Sequence, residues 1–388
     1  MSNLRVAIVG PYPSSEGSVF GGVEAVTSSL ADGLSAVEGV EVHAVTSISA
    51  LDRPADRISS GGVRVHLLPL FGRLGCLTAF AVDRRRIRSK LREIAPDIIH
   101  VHTQLLYAHS ALERGWPSIL TMHGILRRET ASFRGLAQLH SQLAYRYESD
   151  SVRRAKNIIA INRYCIGEYG SNVRARDIRY IDNSIKDHWF DVDDRAEPGR
   201  ILFGGFIYDL KNVLYLLEAV ATLVDKHPHI RLRVAGGVRN QEYYERCLSF
   251  VAERGIEKNV DFLGSLSVEK MVEEHSKASV VALTSKQENA PVIISEAMAA
   301  ANPVIGTDVG GIAEMVADGE SGFVVPLNDV NTLADRIDRI LSDDDLRKRM
   351  GQAGKAIAEQ RFKRSVVVSK TLDFYRDVIE YERRRSTK

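Results

Sequence analysis

Residues 279–311, with the sequence SVVALTSKQENAPVIISEAMAAANPVIGTDVGG, decide the fold of this chain. The apolar run from Val280 to Leu283 predicts a short buried strand. A polar loop from Thr284 to Asn289 follows, and Pro291 stands where a helix would begin, since proline is tolerated at the first helical position. The stretch therefore predicts one strand–loop–helix unit of an α/β fold.

Two glutamates bracket the turn in this stretch, Glu288 in the loop and Glu296 on the predicted helix. If the segment is mostly helical, their backbones lie about 12 Å apart, so the carboxylates do not pair. The helix start between them offers unpaired N–H groups and the positive end of a dipole, which suit phosphate. The pattern favours one elongated ligand in which a sugar, a diphosphate and a ribose follow in line.

The alternative is that both glutamates are solvated surface residues. The almost wholly apolar run AMAAANPVI after Glu296 argues against that, because it leaves little room for a solvated helix face. At ENAPVIISE the chain resembles the family 4 glycosyltransferases, retaining enzymes of the GT-B architecture whose signature is two glutamates with seven residues between them. The resemblance continues through EAMAAANPVIGTDVGGIAEMV and SGFVVP.

This resemblance implies an α/β protein of the GT-B type, in which two Rossmann-like domains face each other across a cleft and a C-terminal helix crosses back to the N-domain. It also implies retaining transfer of a hexosyl unit from a nucleoside diphosphate sugar to a hydroxyl acceptor, in bacterial glycan or glycoconjugate biosynthesis. It implies no cofactor and no essential metal, because the nucleotide sugar is itself a substrate.

The length of 388 residues is too great for one ordinary core and suits two domains. We predict an N-terminal acceptor-binding domain over 1–192, a C-terminal nucleotide-sugar-binding domain over 199–364 and a C-terminal helix over 365–388. The polar stretch DVDDRAEPG at 191–199 is the predicted linker. Its Asp191 and Asp193 form a D-x-D pair, but a metal-dependent transferase needs that pair beside the sugar, so we reject a metal site. The run Asp343–Asp345 is predicted as helix-start charge.

Composition excludes several classes of protein. Lys and Arg number 52 against 50 Asp and Glu, and the formal net charge of +2 does not indicate a nucleic-acid binder. The cysteines Cys76, Cys165 and Cys247 form no C-x-x-C pair and predict reduced thiols of a cytosolic protein. No uncharged apolar run reaches the roughly 18 residues of a membrane span, and the N-terminal run predicts a strand rather than a signal peptide. We expect a cytoplasmic protein whose membrane contact, if any, is peripheral at the inner face.

Basic residues cluster in two segments, 84–92 and 127–154. Such runs usually form solvated helix faces, an interpretation we prefer to a surface for acceptor phosphate or anionic membrane. Glycosyltransferases similar to this chain use a basic, amphipathic N-domain surface to approach lipid-linked acceptors, and the sequence permits the same here.

The first predicted strand, Leu4 to Val9, leads through a glycine-rich loop into a helix from about Val23 to Ala36. The loop lacks G-x-G-x-x-G and carries two prolines, so it does not favour an NAD site. In the resembled family this loop lies near the donor phosphates or the acceptor, which makes Gly21 and Gly22 candidates for donor binding. Helix capping explains the two glycines about as well.

Two histidines share one face of the strand predicted at 97–102, His100 and His102. Because open α/β sheets bind ligands beyond the carboxyl ends of their strands, we expect His102 to overlook the cleft and His100 to be buried and hydrogen-bonded. His102 and Tyr107 are the candidates on the acceptor side. The resembled family shares a T-x-H-G element, present here as TMHG, which implies that His123 contacts the donor sugar near the reacting carbon.

The second domain opens with ILFGGFIYDLKN. The resembled family places an arginine after the second glycine and a lysine five residues later, and both reach the donor diphosphate. Gly205 and Lys211 match that pattern, but Phe206 occupies the arginine position. The missing charge weakens leaving-group stabilisation unless another basic residue substitutes. The presence of Phe206 leaves two alternatives open, an inactive homologue or an altered donor geometry.

The resemblance assigns further roles residue by residue. It implies that Lys211 and the N–H groups near Val292 and Ile293 take the leaving-group charge. Glu288 and the Asn289 backbone position the sugar, and Glu296 accepts hydrogen bonds from ribose. The catalytic candidates are His123, Lys211 and Glu288. The donor-binding candidates are Gly21, Gly22, Gly205, Lys211, Leu263, Asn289, Ala290, Val292, Ile293 and Glu296.

No side chain is an evident nucleophile, so a same-face mechanism fits better than a covalent intermediate. Two rival functions remain open. One is a nucleotide-sugar epimerase or hydrolase on the same fold, and the other is a non-catalytic nucleotide-sugar binder or partner subunit. The expected partners are a nucleotide sugar and a hydroxyl acceptor, which is a glycan, a lipid-linked molecule or a small molecule, without nucleic acid.

Overall fold

The computed structural model describes residues 3–16, 21–49, 51–71, 75, 78, 80–112, 115–130 and 134–386. Contacts divide the chain into two compact units. The N-terminal unit comprises Met1–Ile185 and Arg364–Lys388, and the C-terminal unit comprises Lys186–Lys363. The first division falls ahead of the predicted linker.

The N-terminal unit is built on an eight-stranded sheet. Its strands are β1 (Leu4–Val9), β2 (Val40–Ile48), β3 (Ala55–Ile58), β4 (Arg64–Pro69), β5 (Ile98–His102), β6 (Ser118–Met122), β7 (Asn157–Ala160) and β8 (Asp177–Tyr180). Its first six helices are α1 (Gly22–Ser35), α2 (Ala81–Ile94), α3 (Leu106–Ala111), α4 (Leu126–Glu129), α5 (Gly135–Arg154) and α6 (Arg163–Tyr169).

The strand order in this sheet is β3-β4-β2-β1-β5-β6-β7-β8, and every pairing is parallel except that of β3 with β4. The chain runs from β1 to β2 on one side and returns to β5 on the other side of β1. In an open α/β sheet such a switch leaves a crevice at the carboxyl ends of the two central strands. The ends of β1 and β5 are therefore the expected ligand edge of this unit.

Alternate residues of β1 enter two separate cores. Val6 and Ile8 pack in one cluster, and Ala7 and Val9 pack in the other, on the opposite face of the sheet. Burial on both faces explains why the strand is apolar from Val6 to Val9.

The C-terminal unit has a six-stranded, all-parallel sheet of order β11-β10-β9-β12-β13-β14. Its strands are β9 (Arg200–Gly204), β10 (Arg231–Ala235), β11 (Val260–Gly264), β12 (Val280–Leu283), β13 (Val304–Thr307) and β14 (Gly322–Val325). Its helices are α7 (Val213–Leu223), α8 (Gln241–Glu253), α9 (Val268–Lys277), α10 (Val292–Ala299), α11 (Val330–Ser342) and α12 (Asp344–Arg361). The switch of direction lies between β9 and β12.

The last helix, α13 (Arg364–Ser386), belongs to the N-terminal unit. Val368, Leu372, Tyr375 and Ile379, the apolar stripe seen in the sequence, are all buried in the same cluster as Val6. Core packing therefore explains this stripe.

The polar stretch at 191–199 is bonded to the C-terminal unit along its length. The guanidinium of Arg347 donates two hydrogen bonds to Asp194, at 3.2 and 3.0 Å. The backbone N–H groups of Arg195 and Glu197 donate to the carbonyls of Ser276 and Lys277. The residues of this polar stretch thus form specific hydrogen bonds in addition to linking two parts of the chain. Asp343, as predicted, caps a helix, since it accepts from the Leu346 N–H at 2.8 Å.

Within the described residues, no helix combines the length and apolar character that crossing a membrane requires. Cys165 and Cys247 are buried, unbridged thiols, and Cys76 lies outside the described residues. Many basic side chains of the two clusters have structural partners. Arg128 forms two 2.7 Å hydrogen bonds with Glu168, and Arg88 donates to the carbonyls of His109 and Ser110.

Candidate functional site

The carboxyl ends of β9 and β12 bring together the loops that carry Lys211 and Glu288. The ammonium of Lys211 donates to Oε1 of Glu288, and Oγ of Ser285 donates to the same oxygen at 2.6 Å. The side chains of Lys211 and Glu288 are only 17% and 11% exposed. Two catalytic candidates far apart in the sequence therefore meet as a mostly buried ion pair.

The electrostatics of this pair keep the lysine charged. Burial disfavours an ammonium group, but the adjacent Glu288 carboxylate outweighs that effect and raises the pKa of Lys211 above its ordinary value. A charged lysine at a strand end suits an anionic ligand group.

Backbone contacts hold the two loops together. The N–H of Lys286 donates to the carbonyl of Leu210 at 2.8 Å, and Oγ1 of Thr284 donates to the carbonyl of Asn212 at 3.1 Å. Asn212 has a left-handed backbone, φ 53°, which asparagine tolerates better than most residues. The position of Lys211 is thus fixed by the residues that flank it.

A glycine supports the other member of the pair. Gly310 has φ +58°, and a Cβ at this position would lie 1.7 Å from the carbonyl oxygen of Glu288. That oxygen also accepts from Nε2 of Gln287 at 3.0 Å and from the N–H of Gly311 at 3.4 Å. The glycines of the DVGG segment therefore have a structural purpose, which is close approach to the Glu288 backbone.

Helix α10 begins one residue later than the sequence predicted. Pro291 is the N-cap, with an extended ψ of 123°, and Val292 is the first helical residue. The residues from Glu288 to Pro291 are therefore not helical. The helical rise assumed between Glu288 and Glu296 applies only from Val292 onward. Val292 and Ile293 lie in the first turn, where backbone N–H groups lack helical acceptors. Asn289 is buried and Ala290 is partly buried.

Glu296 lies on α10, after this helix start. Burial raises the pKa of its carboxyl group to about 8. Within the described part of the chain, the carboxyl group has no hydrogen-bond or ion-pair partner. A carboxyl group in such surroundings gains from any ligand that donates hydrogen bonds to it.

The ends of β9, β10 and β11 form the adjoining part of the site. Gly236 has φ +155°, and a Cβ there would lie 1.9 Å from the carbonyl oxygen of Gly205. The N–H of Gly205 donates to the carbonyl of Ala235, and the N–H of Gly236 donates to that of Gly264. Leu263, one of the donor-binding candidates, is partly exposed near the end of β11.

Arg239, in the loop after β10, was not predicted as a site residue. Its guanidinium lies 4.2 Å from the centre of the Phe206 ring and 5.5 Å from that of Tyr208. Its place three residues beyond the Gly236 strand end was the available signal. A basic residue thus covers the aromatic ring at the position where the resembled family has arginine.

In the N-terminal unit, His102 ends β5 and His123 follows the end of β6. Nδ1 of His102 lies 2.8 Å from Nε2 of His123, and the two rings stack with centroids 5.1 Å apart. His102 is only 1% exposed and His123 is 9% exposed. The strand end that was expected to present His102 instead buries it beside the neighbouring histidine.

His100 is buried and hydrogen-bonded, as predicted. Its Nδ1 lies 2.7 Å from the Tyr375 hydroxyl, and its Nε2 lies 2.6 Å from Oγ1 of Thr121. Burial, with the charge of His123, lowers the pKa of His100 to about 3. Burial also lowers the pKa of His123 to about 4 and that of His102 well below its ordinary value. These rings are neutral near pH 7, so they act as hydrogen-bonding groups rather than cations.

The remaining N-terminal candidates lie near the same edge. The Tyr107 hydroxyl accepts from the N–H of Ser47 at 3.2 Å, near the end of β2. Gly21 is the N-cap of α1 with an extended φ of −171°, and Gly22 is its first residue. The interpretation that these glycines cap the helix is thus confirmed. Their role in donor binding stays a prediction. Residues 17–20 of the same loop lie outside the described residues.

Comparison with known families covers most of the chain. The family described as "Glycosyltransferase Family 4" matches residues 20–188, and the family described as "Glycosyl transferases group 1" matches residues 186–357. The two matches follow one another with little overlap and correspond closely to the two units.

Several proteins named as glycosyltransferases have similar sequences. The D-inositol 3-phosphate glycosyltransferase of Corynebacterium urealyticum is 33% identical over 154 residues, 39% of this chain and 36% of that enzyme. The alpha-D-kanosaminyltransferase of Streptomyces kanamyceticus is 28% identical over 189 residues, 49% of this chain and 47% of that enzyme. In both cases the match spans less than half the length of the relative.

Solved structures match over nearly the whole chain. Sucrose-phosphate synthase from Thermosynechococcus elongatus superposes with a TM-score of 0.82 at 20% identity, covering 98% of this chain and 100% of the other. HepE from Anabaena, solved in complex with UDP and glucose, superposes with a TM-score of 0.72 at 19% identity, covering 97% and 100%. At these identities the likeness establishes the fold. With the two family matches, it follows that the chain belongs to the family 4 glycosyltransferases and has the GT-B architecture of two Rossmann-like domains.

Proposed function

We propose that the chain is a retaining hexosyltransferase that moves a sugar from a nucleoside diphosphate sugar to a hydroxyl acceptor without an essential metal. The observation that carries this proposal is the Lys211–Glu288 pair at the carboxyl edge of the C-terminal sheet. The Lys211 ammonium, the Glu288 carboxylate, the start of α10 and the Glu296 carboxyl group supply the kinds of group that the parts of a sugar nucleotide require.

The diphosphate is the part of the donor that needs positive charge. Departure of the nucleoside diphosphate leaves negative charge on its phosphate, and preorganised donors stabilise such charge. Lys211 supplies an ammonium, and Val292 and Ile293 supply backbone N–H groups at the positive end of α10. Donor binding would exchange the contact of Lys211 with Glu288 for a contact with phosphate.

The same exchange frees Glu288 for the sugar. Its carboxylate then accepts hydrogen bonds from sugar hydroxyls, while the fixed backbone of the loop keeps it in place. Glu296 accepts hydrogen bonds from the ribose hydroxyls, which satisfies a carboxyl group that lacks a partner among the described residues. The complex of HepE with UDP and glucose supports a nucleotide sugar as the donor class.

His123 is proposed to contact the sugar near its reacting carbon. As a neutral imidazole it donates or accepts a hydrogen bond, and its contact with His102 limits the orientation of the ring. Among the described residues of the site no side chain is an evident nucleophile, so we favour a same-face mechanism in which the donor phosphate helps to deprotonate the acceptor.

Peripheral membrane contact is proposed for the acceptor side, with the chain in the cytoplasm. Leu136 and Leu139, on one face of α5, are 87% and 64% exposed, and the exposed residue Arg134 precedes them. This combination fits a lipid-linked acceptor at an anionic surface. Leu136→Asp with Leu139→Asp should reduce cosedimentation with phosphatidylglycerol vesicles, whereas Leu248→Asp, at another exposed leucine, should not. Equal vesicle binding by the native protein, the double variant and Leu248→Asp would contradict the proposal.

Product analysis tests the transferase proposal. The full chain is incubated with UDP-, GDP-, ADP- and dTDP-hexoses in EDTA, with free saccharides or polyprenol-linked sugars as acceptors. NMR should find a new glycosidic bond with the anomeric configuration of the donor. Free sugar alone would indicate a hydrolase, and an altered donor sugar an epimerase. Donor binding without turnover would support the non-catalytic alternative, which the presence of Phe206 at the arginine position suggests.

A further inference from the structure

The candidate diphosphate site has one cation fewer than its family pattern. Phe206 follows Gly205 where an arginine is expected, and Lys211 is the cation that remains at its expected position. A second positive charge would have to come from another segment. The loop after β10 is one adjoining source, because its first residues lie against the backbone of Gly205.

Backbone contacts fix this loop against the segment that contains Phe206. Ile207 and Val238 form a parallel bridge, and the N–H of Ile207 donates to the carbonyl of Gly237 at 2.9 Å. The N–H of Arg239 donates to the carbonyl of Ile207 at 3.0 Å. Arg239 is thus anchored by its own backbone beside the substituted position.

The side chain of Arg239 stacks on the residue that replaced the arginine. Its guanidinium carbon lies 4.2 Å from the centre of the Phe206 ring, with the Tyr208 ring at 5.5 Å. Stacking engages the face of a guanidinium and leaves its N–H groups, which lie at the edge, able to bind oxygen atoms.

In the part of the chain that the structure describes, no carboxylate neutralises the charge of Arg239. Within the described residues, Arg239 forms no ion pair, and the nearby Asp209 is bonded to Asn240 and lies 3.8 Å from Arg246. The field of Arg239 nonetheless reaches the site, since it acts to lower the pKa of Lys211 against the stronger effect of Glu288. Two cations held near each other favour a multiply charged anion.

On the basis of the proposed function, we propose that Arg239 supplies the cation missing at Phe206 and binds the diphosphate of the donor, with the Phe206 ring as its platform. Arginine suits this role because its planar fork matches phosphate oxygens in a bidentate manner. The replacement of arginine by phenylalanine then moves the charge to a neighbouring loop instead of removing it.

Binding measurements on the full chain test this proposal. UDP, GDP, ADP and dTDP, and the four nucleosides as competitors, are titrated against the native protein, Arg239→Ala and Arg239→Lys. The control is Arg254→Ala, because Arg254 also stacks on an aromatic ring, Phe250, at 5.4 Å. Thermal unfolding of each variant checks that it is folded.

Arg239→Ala should weaken binding of the preferred diphosphate about tenfold or more, the range expected for a lost charge-assisted hydrogen bond. Nucleoside binding should stay unchanged, Arg239→Lys should lose less, and Arg254→Ala should match the native protein. Adding Phe206→Arg to Arg239→Ala should restore much of the affinity.

Three results would overturn the proposal. Native-like diphosphate affinity in Arg239→Ala would show that Arg239 does not bind phosphate. An equal loss for nucleoside and diphosphate would assign it to the base or to structure. If the native protein binds none of the four diphosphates, the proposed function fails together with this inference, whereas the first two results leave the proposed function intact.

Discussion

Lys211 and Glu288 lie 77 residues apart in the sequence and form an ion pair at the carboxyl ends of neighbouring strands. Each residue has a proposed role on the donor, one on the diphosphate and one on the sugar. In the proposed function, their mutual contact stabilises the protein without ligand and is exchanged for contacts with the donor when the donor binds. Substitution of one partner or of both separates these two contributions.

Lys211→Met should destabilise the protein by roughly 3 kcal/mol, because it leaves the mostly buried Glu288 carboxylate without its cation. Adding Glu288→Gln should recover much of that stability but no transfer activity, since the double variant lacks both donor contacts. Chemical denaturation and turnover measure the two effects. Lys226→Met is the control, because Lys226 is 60% exposed in its pair with Asp338 and should cost less than about 1 kcal/mol. Full activity in the double variant would contradict the proposed roles.

Donor affinity should rise with pH as Glu296 ionises. Its pKa is about 8, and its proposed role on ribose requires the carboxylate, so binding must release a proton below that pH. Affinity for the preferred sugar nucleotide should increase about tenfold per pH unit below 8 and level off above it. Calorimetry between pH 6.5 and 9 follows this change. Glu296→Gln should bind more weakly and show no such slope, and an equal slope in both proteins would refute the assignment.

Stability of the N-terminal unit should depend on Glu148. Oε1 of Glu148 accepts from the Leu126 N–H at 3.2 Å, and burial raises its pKa from 4.5 to about 7. Between these values the folded state holds a proton that the unfolded state releases, so the contribution of Glu148 to stability falls as pH rises.

Glu148→Gln should remove that dependence, which amounts to roughly 3 kcal/mol between pH 4.5 and 7. Denaturant titrations of the native protein and the variant, at several pH values in this interval, isolate the effect as a difference of slopes. Glu253→Gln, an exposed position on α8, should leave the slope unchanged. Parallel curves for Glu148→Gln and the native protein would show that the group titrates alike in both states.

His102 should act on turnover through His123. His102→Gln disturbs the contact that orients the His123 ring, so kcat should fall about tenfold while affinity for the nucleoside diphosphate is unchanged. The matched control is His43→Gln, because His43 and His66 form a second stacked histidine pair, 3.0 Å between ring nitrogens, elsewhere in the unit. Equal losses in both variants would point to stability rather than to positioning.

Gly310 should resist substitution more strongly than another glycine with a left-handed backbone. A Cβ on Gly310 would lie 1.7 Å from the Glu288 carbonyl oxygen, whereas at Gly39, with φ +78°, it meets nothing within 4 Å. Gly39→Ala should cost only the backbone strain, about 1 kcal/mol, and should not affect donor binding. Gly310→Ala should cost more and weaken donor binding. Similar effects on binding from both substitutions would contradict the proposed support of Glu288.

Local patterns were sufficient for much of the fold. β1 and β12 have the predicted bounds, because apolar runs between polar loops identify buried parallel strands. β3 and β8 were not predicted, since they are short strands at the two sheet edges and carry charged residues. Pro291 was placed one residue too far into α10, an error typical of helix boundaries.

Long-range contacts explain what the sequence could not provide for the site. The motif located Lys211, Glu288 and Glu296, but the pairing of the first two depends on β9 and β12 being neighbours, which no local pattern specifies. His102 was expected in the open because the contact with His123, from the adjacent strand, was not visible in sequence. Arg239 was not predicted because its position after a strand end was its only signal, and a single exposed arginine in a loop forms no motif.

The most direct test of the central claim is a calorimetric titration of the full chain with UDP-, GDP-, ADP- and dTDP-hexoses in EDTA, with Glu296→Ala in parallel. We expect the donors of one base to bind with EDTA present, and Glu296→Ala to bind them at least about tenfold more weakly. Binding that requires a divalent metal, binding unaffected by Glu296→Ala, or no binding of any donor would contradict it.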